Sequence, residues 1–90
     1  MVRAVRRAAQ FKRDYKLMKR RGRDVEKLRV AMLKLVNEEP LETKYRDHSL
    51  LGNYSGRREC HIEPDGLLIY KLEPGVVVFE RTGTHSDLFR

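Results

Sequence analysis

Residues 57–82 read RRECHIEPDGLLIYKLEPGVVVFERT and carry the pattern of strands separated by tight turns. Cys60 and Ile62 alternate with polar neighbours, which is typical of a half-buried strand. Residues 63–66 (EPDG) and 73–75 (EPG) have turn composition, because proline presets one backbone dihedral and glycine accommodates the reversal. The stretch predicts an antiparallel meander with strands at 57–63, 67–72 and 76–82.

Upstream of the meander, the hydrophobic period is that of two helices. The first begins near Arg7 and stops at Gly22, with an apolar stripe of Ala8, Phe11, Tyr15 and Met18. The second has Asp24 as its N-cap and ends before Pro40, with a stripe of Val25, Leu28, Met32 and Leu35. We predict that these two antiparallel helices cover one face of the sheet in an α+β fold.

The remaining segments are less regular. Residues 2–5 fit either a short strand or the entry to the first helix, and residues 40–56 show no sustained period and are predicted to be a loop. Residues 84–89 can form one helical turn with Thr84 as its cap. A chain of 90 residues is expected to form a single domain, with a basic helical half at 1–39 and a loop and sheet at 40–90.

The net charge of +7 is concentrated at one end of the chain. Residues 1–30 contain twelve Lys or Arg against three Asp or Glu, whereas the rest is slightly acidic. Such a patch attracts phosphate backbones without reading their sequence. A solvated helix face or a docking surface for an acidic protein would use the same charge.

Other features limit the class of protein. No stretch approaches the roughly twenty apolar residues of a membrane span, and the basic start has no apolar run of a signal peptide, so we expect a cytoplasmic protein without a membrane partner. Cys60 is the single cysteine, which excludes an internal disulfide, and we expect it to be a buried hydrophobe.

The meander brings reactive side chains to one rim. The first strand ends, the second begins and the third ends at the same edge, so His61, Asp65, Arg81 and the following His85 can lie together, with His48 reaching them from the loop. Histidine exchanges protons near neutral pH and arginine holds a phosphate charge, so the set suits acid–base chemistry on an anion. Three histidines and an aspartate could also bind zinc, although they lack the short spacing of small zinc sites.

Four segments carry a resemblance to a known family. The segments DHSL (47–50), RECHIEPD (58–65), LLIY (67–70) and ERTGTHSDLF (80–89) look like the YafQ branch of the RelE/ParE toxin superfamily. The resemblance implies a ribosome-dependent endoribonuclease, the toxin of a type II toxin–antitoxin pair. It also implies two helices packed on an antiparallel sheet of about four strands, the RelE-like fold, with residues 2–5 as an added strand.

The resemblance further implies metal-free cleavage of mRNA in the ribosomal A site, without a cofactor. His85 is expected to be the general acid, and Arg81 to stabilise the phosphorane. Some relatives have a bulky aromatic after the aspartate, where this chain has Gly66. The family's functional positions fall on His48, His61, Asp65, Arg81, His85 and Phe89. Phe89 is the terminal aromatic and is expected to stack on a base.

The basic half gains a role from the same resemblance. Its cations would hold the toxin against ribosomal RNA, and an acidic antitoxin would wrap the domain. A ParE-like toxin that acts on gyrase and a non-enzymatic nucleic-acid-binding module are the alternatives. The predicted docking residues are Arg6, Arg7, Lys12, Arg13, Lys16, Lys19, Arg20, Arg21 and Arg23.

Overall fold

The sheet at the centre of the fold is mixed rather than purely antiparallel. The computed structural model describes residues 2–89, and within them five strands lie in the order β1-β5-β4-β3-β2. β1 runs parallel to β5, and the other neighbours are antiparallel. The strands are β1 (Ala4–Arg7), β2 (His48–Ser49), β3 (Arg58–Glu63), β4 (Gly66–Glu73) and β5 (Val76–Gly83).

This sheet confirms the predicted α+β fold and corrects its details. The meander of β3, β4 and β5 is present with boundaries within one residue of those predicted. The N-terminal strand covers Ala4–Arg7 instead of residues 2–5, because Arg7 is paired with Phe79 and stays extended. The two residues of β2 lie inside the segment predicted to be a loop, and they pair with Arg58 and Glu59.

Helices α1 (Ala9–Arg20) and α2 (Val25–Val36) begin and end where local chemistry requires. Gly22 adopts a φ of 74° directly after α1, a backbone conformation that glycine tolerates well. The Asp24 side chain accepts hydrogen bonds from the backbone N–H groups of Glu26 and Lys27, at 3.0 and 3.4 Å, and caps α2 as predicted. Neither these nor any other described helix is long and apolar enough to cross a bilayer.

The two faces of the sheet have different hydrophobic clusters. The helices pack on one face against a core that includes Phe11, Leu28, Tyr70 and Phe79. Cys60 is fully buried in this core, as predicted, and burial raises its thiol pKa to about 12. On the opposite face a smaller cluster consists of Leu67, Ile69 and Leu88, bordered by Leu50 and Tyr54.

The smaller cluster is the floor of the candidate site. Residues paired across an antiparallel sheet point to the same face. His61 is paired with Leu67, Glu59 with Ile69, and His48 with Glu59, so all three polar residues lie on the face away from the helices. Helix α3 (His85–Leu88) follows β5 and closes one side of this face through Leu88.

Candidate active site

Three histidines form a row along the exposed side of this face. The ring centroids of His48 and His61 are 6.2 Å apart, and those of His61 and His85 are 5.8 Å apart. The Phe89 ring continues the row, 6.4 Å from His85. The structure therefore brings together four of the six predicted site residues, which come from β2, β3, α3 and the residue after α3.

Asp65 is a fifth member, and it fixes His85. Its Oδ1 atom accepts hydrogen bonds from the His85 backbone N–H at 3.1 Å and from His85 Nδ1 at 2.9 Å. These bonds hold the pKa of the Asp65 carboxyl below its usual range. Because an ionised carboxylate can only accept, Nδ1 of His85 carries the hydrogen and Nε2 is left to exchange a proton.

The start of α3 gives His85 its second support. The Thr84 side chain accepts a hydrogen bond from the Asp87 backbone N–H, and the Asp87 side chain accepts one from the Thr84 N–H. This capping box satisfies two of the donors at the N-terminus of a very short helix. The predicted cap at Thr84 is thus present, and it orients His85 over the turn that carries Asp65.

Glu59 joins the row, although it was not among the site residues predicted from the sequence. The residue is only 5 % exposed, and its Oε1 atom lies 3.3 Å from His61 Nε2 and 3.7 Å from His48 Nε2. A carboxylate next to an imidazole nitrogen is stable when a proton lies between them, so Glu59 can share a proton with either ring. Its position two residues before His61 on one strand was the available signal, because such residues share a face.

His61 is tuned toward its neutral form. Burial lowers the pKa of its imidazole, the neighbouring carboxylate of Glu59 acts in the opposite direction, and the charge of Arg46 lowers it further. A histidine with a lowered pKa is largely unprotonated at neutral pH and can accept a proton. Arg46 was not among the predicted site residues.

The loop before β2 fixes the orientation of His48. Its Nδ1 atom lies 2.7 Å from the Arg46 carbonyl oxygen, so Nδ1 donates and Nε2 faces Glu59. The preceding residue, Asp47, accepts hydrogen bonds from the Tyr70 hydroxyl and from Arg58, whose pKa is raised mainly by this carboxylate. The segment that precedes His48 is therefore tied to the sheet.

Arg81 is held by helix α1 rather than by a strand neighbour. Its Nε donates to Asp14 Oδ2 at 2.7 Å and its Nη2 to Asp14 Oδ1 at 3.4 Å, which raises the arginine pKa. The acidic strand neighbours do not pair with it, because Glu80 binds Arg57 and Glu59 faces the histidines. Within residues 2–89, Arg81 makes no hydrogen bond or ion pair with the three histidines, although its pairing with Ile69 places it on the same sheet face.

Part of the row could hold a cation. One ligand atom from each of His48, Glu59 and His61 lies within 4.8 Å of the others. Two imidazole nitrogens and a carboxylate oxygen form a donor set suited to zinc or copper with open positions. The set considered for zinc from the sequence was three histidines and an aspartate, whereas the structure groups a glutamate with two of the histidines.

The predicted docking cations divide into two groups. Three of them are engaged within the domain: Arg6 with Glu73 at 2.6 Å, Arg21 with Asp87 at 2.9 Å, and Arg23 with Glu63 at 3.2 Å. Arg23 also donates to the Asp65 carbonyl oxygen at 3.2 Å and so supports the turn below His85. A second group makes no ion pair within the part of the chain that the structure describes: Arg7, Lys12, Arg13, Lys16, Lys19 and Arg20.

Comparison with known proteins agrees with this architecture. The mRNA interferase toxin YafQ of Escherichia coli (strain K12) is 46 % identical over 83 residues, which cover 91 % of this chain and 90 % of that protein. The crystal structure of the E. coli DinJ-YafQ toxin-antitoxin complex matches with a TM-score of 0.92 and 43 % identity, covering 100 % of both chains. A metal-bound toxin from Helicobacter pylori matches with a TM-score of 0.89 and 35 % identity, covering 99 % of this chain and 100 % of that one.

A family model gives the same answer over nearly the whole length. The model described as the bacterial toxin of a type II toxin-antitoxin system, YafQ, matches residues 3–90. The sequence-based assignment to this family is thereby confirmed. The chain belongs to the YafQ family of bacterial type II toxin–antitoxin toxins.

Proposed function

We propose that this toxin is a ribosome-dependent endoribonuclease that cleaves mRNA in the A site and so stops translation. The observation that carries the proposal is the row of three imidazoles with a carboxylate on each side, Glu59 at His48 and His61 and Asp65 at His85. A ParE-like gyrase toxin or a passive nucleic-acid-binding module has no use for such a row. Membership in a family whose E. coli relative is an mRNA interferase supports the same function.

The reaction is an intramolecular transesterification at one phosphodiester of the mRNA. The 2′-hydroxyl of a nucleotide attacks the adjacent phosphorus, a base takes the hydroxyl proton, and an acid protonates the 5′-oxygen that leaves. A P–O bond forms to the 2′-oxygen as the bond to the 5′-oxygen breaks, which gives a 2′,3′-cyclic phosphate and a 5′-hydroxyl. This reaction needs a base, an acid and a cation for the phosphorane, and it consumes no water or cofactor.

His85 is assigned as the general acid. Asp65 orients its ring through Nδ1, which directs Nε2 toward the substrate as the proton donor. His61 is assigned as the base, because burial lowers its pKa and leaves the ring neutral. The two ring centroids are 5.8 Å apart, so both imidazoles can reach the same linkage: His61 accepts the proton of the 2′-hydroxyl and His85 donates one to the leaving 5′-oxygen.

Glu59 and His48 extend the base side of the site. Glu59 is buried and lies 3.3 Å from His61 Nε2, so it stabilises the positive charge that the ring gains when it takes a proton. His48 Nε2 lies 3.7 Å from the same oxygen of this carboxylate. We assign these two residues to the activation and orientation of the nucleophile.

Arg81 and Phe89 complete the site. Asp14 holds Nε and Nη2 of Arg81, so the guanidinium is fixed in place before substrate arrives and can stabilise charge on the phosphate oxygens. The Phe89 ring is 40 % exposed and is held edge-on against Tyr54 at 5.5 Å. We assign it to stacking on a base of the mRNA, a role that Gly66 cannot fill.

The partners follow from the family and from charge. The E. coli relative is found in a complex with the antitoxin DinJ, and we propose that this toxin likewise binds a cognate antitoxin of acidic character. We place its action in the cytoplasm, where its ribosomes are. The cations of α1 that make no ion pair among the described residues are assigned to ribosomal RNA.

The proposal is tested on ribosomes programmed with a defined mRNA. We expect the purified toxin to cut the A-site codon and leave a 2′,3′-cyclic phosphate, and to leave the same mRNA intact in the absence of ribosomes. A matched mRNA with a single 2′-deoxynucleotide at the cleaved position should resist, because it lacks the nucleophile. Cleavage of the deoxy substrate at the same bond would refute the internal-attack mechanism.

A further inference from the structure

A groove of about 570 Å³ opens on the side of His61 away from His85. α2 supplies Lys27 and Val30 to it, the loop before β2 supplies residues 44–46, and the end of β3 supplies residues 61–64. The groove exists because β2 pairs only with Arg58 and Glu59, so within the described residues no strand covers the outer edge of β3 beyond that point. His61 is shared by this groove and by the row of histidines.

We infer that this groove is a binding subsite for the phosphate backbone of the mRNA next to the cleaved bond, formed by Lys27, Lys44 and Arg46. The inference rests on the proposed ribonuclease function and extends it to the path of the substrate. An RNA strand whose reacting phosphate lies between His61 and His85 continues past His61 into the groove. Backbone phosphates there are positioned by cations, independently of base sequence.

The charges in the groove are available to a ligand. Lys44 and Arg46 are exposed and make no ion pair in residues 2–89, and Lys44 lies over the Tyr45 ring, with Nζ 5.5 Å from its centroid. Lys27 is 61 % exposed and lies 3.9 Å from Glu63. Among the described residues that line the groove, Glu63 is the one that is acidic, and Arg23 already engages it at 3.2 Å, so the groove has an excess of positive charge.

Arg46 is fixed with respect to the catalytic row. Its backbone has φ 48° and ψ 43°, a left-handed conformation that is unfavourable for a residue other than glycine. Its carbonyl accepts the His48 Nδ1 hydrogen at 2.7 Å, and its N–H donates to the Thr43 carbonyl at 3.0 Å. The guanidinium is close enough to His61 for its charge to help lower the histidine pKa. One residue thus links the orientation of His48 to the groove.

The floor of the groove suits the rest of a nucleotide. Val30, Ile62 and Pro64 present apolar surface between the cations, and Tyr45 contributes part of its buried ring. Ribose and base faces can pack on such a surface while phosphates meet the rim. The combination of an apolar floor and a cationic rim is what single-stranded RNA requires.

The test measures binding without cleavage. A first set of ribosomes carries an mRNA with a 2′-deoxynucleotide at the cleaved position, which the toxin can bind but cannot cut. A second set carries an mRNA truncated before the A site, which offers no substrate there. We expect Arg46→Gln and Lys44→Gln together to weaken binding to the first set about tenfold and to lower the salt slope by about two, one for each phosphate that is no longer neutralised. A variant with Arg46→Lys in place of Arg46→Gln should keep most of the affinity. Lys71→Gln, on β4 and outside the groove, should leave the affinity of the wild-type toxin unchanged.

The possible outcomes distinguish an mRNA subsite from other roles of the groove. Equal loss on the truncated mRNA would assign the groove to ribosomal RNA and overturn the inference, and so would wild-type affinity and salt slope in the double variant. In cleavage assays the double variant should raise the half-saturating toxin concentration by a similar factor with little change in maximal rate. A fall in maximal rate alone would overturn the inference as well, because Arg46 would then act on catalysis and not on binding. Absence of cleavage by the wild-type toxin would instead refute the proposed function, while the binding arm would still report on the groove.

Discussion

Asp14 of α1 holds Arg81 of β5 through a hydrogen bond of 2.7 Å, across the edge of the sheet. The same carboxylate oxygen accepts the Thr82 backbone N–H at 3.2 Å, and the residue is only 7 % exposed. A buried carboxylate with two such partners both orients the arginine and attaches the first helix to the last strand. The candidate site therefore depends on a helix that contributes no other residue to it.

Replacement of Asp14 should reduce stability and activity together. Asp14→Ala leaves Arg81 and the Thr82 N–H without an acceptor, and we expect the free energy of unfolding in urea to fall by about 3 kcal/mol. Asp14→Asn keeps an acceptor for Thr82 and should lose about 1–2 kcal/mol, with slower cleavage because Arg81 is no longer fixed. Wild-type stability in the alanine variant would show that this pair does not support the fold.

Loss of His85 should abolish chemistry and leave the fold intact. The side chain is about half exposed, so His85→Ala removes little packing, and we expect cleavage to fall at least a hundredfold, the usual range for a general acid. Growth arrest on expression should disappear as well. Thermal unfolding of the same variant provides the control, and full activity would remove His85 from the mechanism.

The possible cation site at His48, Glu59 and His61 allows the metal-free mechanism to be tested. We expect cleavage to persist in EDTA once the magnesium that ribosomes need is controlled for. Added Zn²⁺ or Cu²⁺ should inhibit, because a cation bound by His48, Glu59 and His61 occupies the side chains that activate the nucleophile. Glu59→Gln should weaken that inhibition. Loss of activity in EDTA and its restoration specifically by zinc would establish a catalytic metal instead.

Charge reversal on α1 should weaken docking to the ribosome. Lys12, Lys16 and Lys19 make no ion pair among the described residues, so their replacement by glutamate does not break an internal bond. If each contacts a phosphate, the slope of log affinity against log salt should fall by about three. The same change at Lys34 and Lys71, which lie outside the patch, is the control. An unchanged slope would exclude docking through α1.

Acid should destabilise the last helix through Asp87. The hydrogen bond from the Thr84 N–H, with Arg21 nearby, lowers the Asp87 pKa in the folded state. A lowered folded pKa means that the stabilisation is present above the ordinary aspartate pKa of about 3.9 and is lost as pH falls through the folded value. Asp87→Asn should cost about 1 kcal/mol at pH 7 and reduce the loss of stability on acidification. Urea titrations between pH 2 and pH 7 measure both effects; an identical pH profile in the variant would contradict this role.

The parts of the fold that local chemistry determines could be predicted from the sequence. Asp24 and Thr84 cap helices because short oxygen-bearing side chains satisfy N-terminal donors, and EPDG and EPG make turns wherever two strands flank them. The two residues of β2 could not be predicted, because two residues show no period. Yet the β2–β3 pairing is what brings Glu59 between His48 and His61.

Contacts between residues distant in sequence account for the remaining differences between the prediction and the structure. Arg7 fits the helical period, but its place opposite Phe79 keeps it in β1. The partner of Arg81 is Asp14, 67 positions away in sequence, so no local pattern identifies it. Arg46 was missed because nothing in its neighbourhood signals a left-handed residue whose carbonyl binds His48.

The parallel pairing of β1 with β5 has a consequence for how the toxin folds. Ala4 is opposite Val76, so this edge forms only after nearly the whole chain has closed on itself, and such distant contacts form late. Until then β5, with the run Val76-Val77-Val78-Phe79, is an open edge able to pair with another molecule. We expect refolding to be slow and concentration-dependent, with aggregation as the competing route, and a dilute or antitoxin-assisted refolding to recover more active toxin.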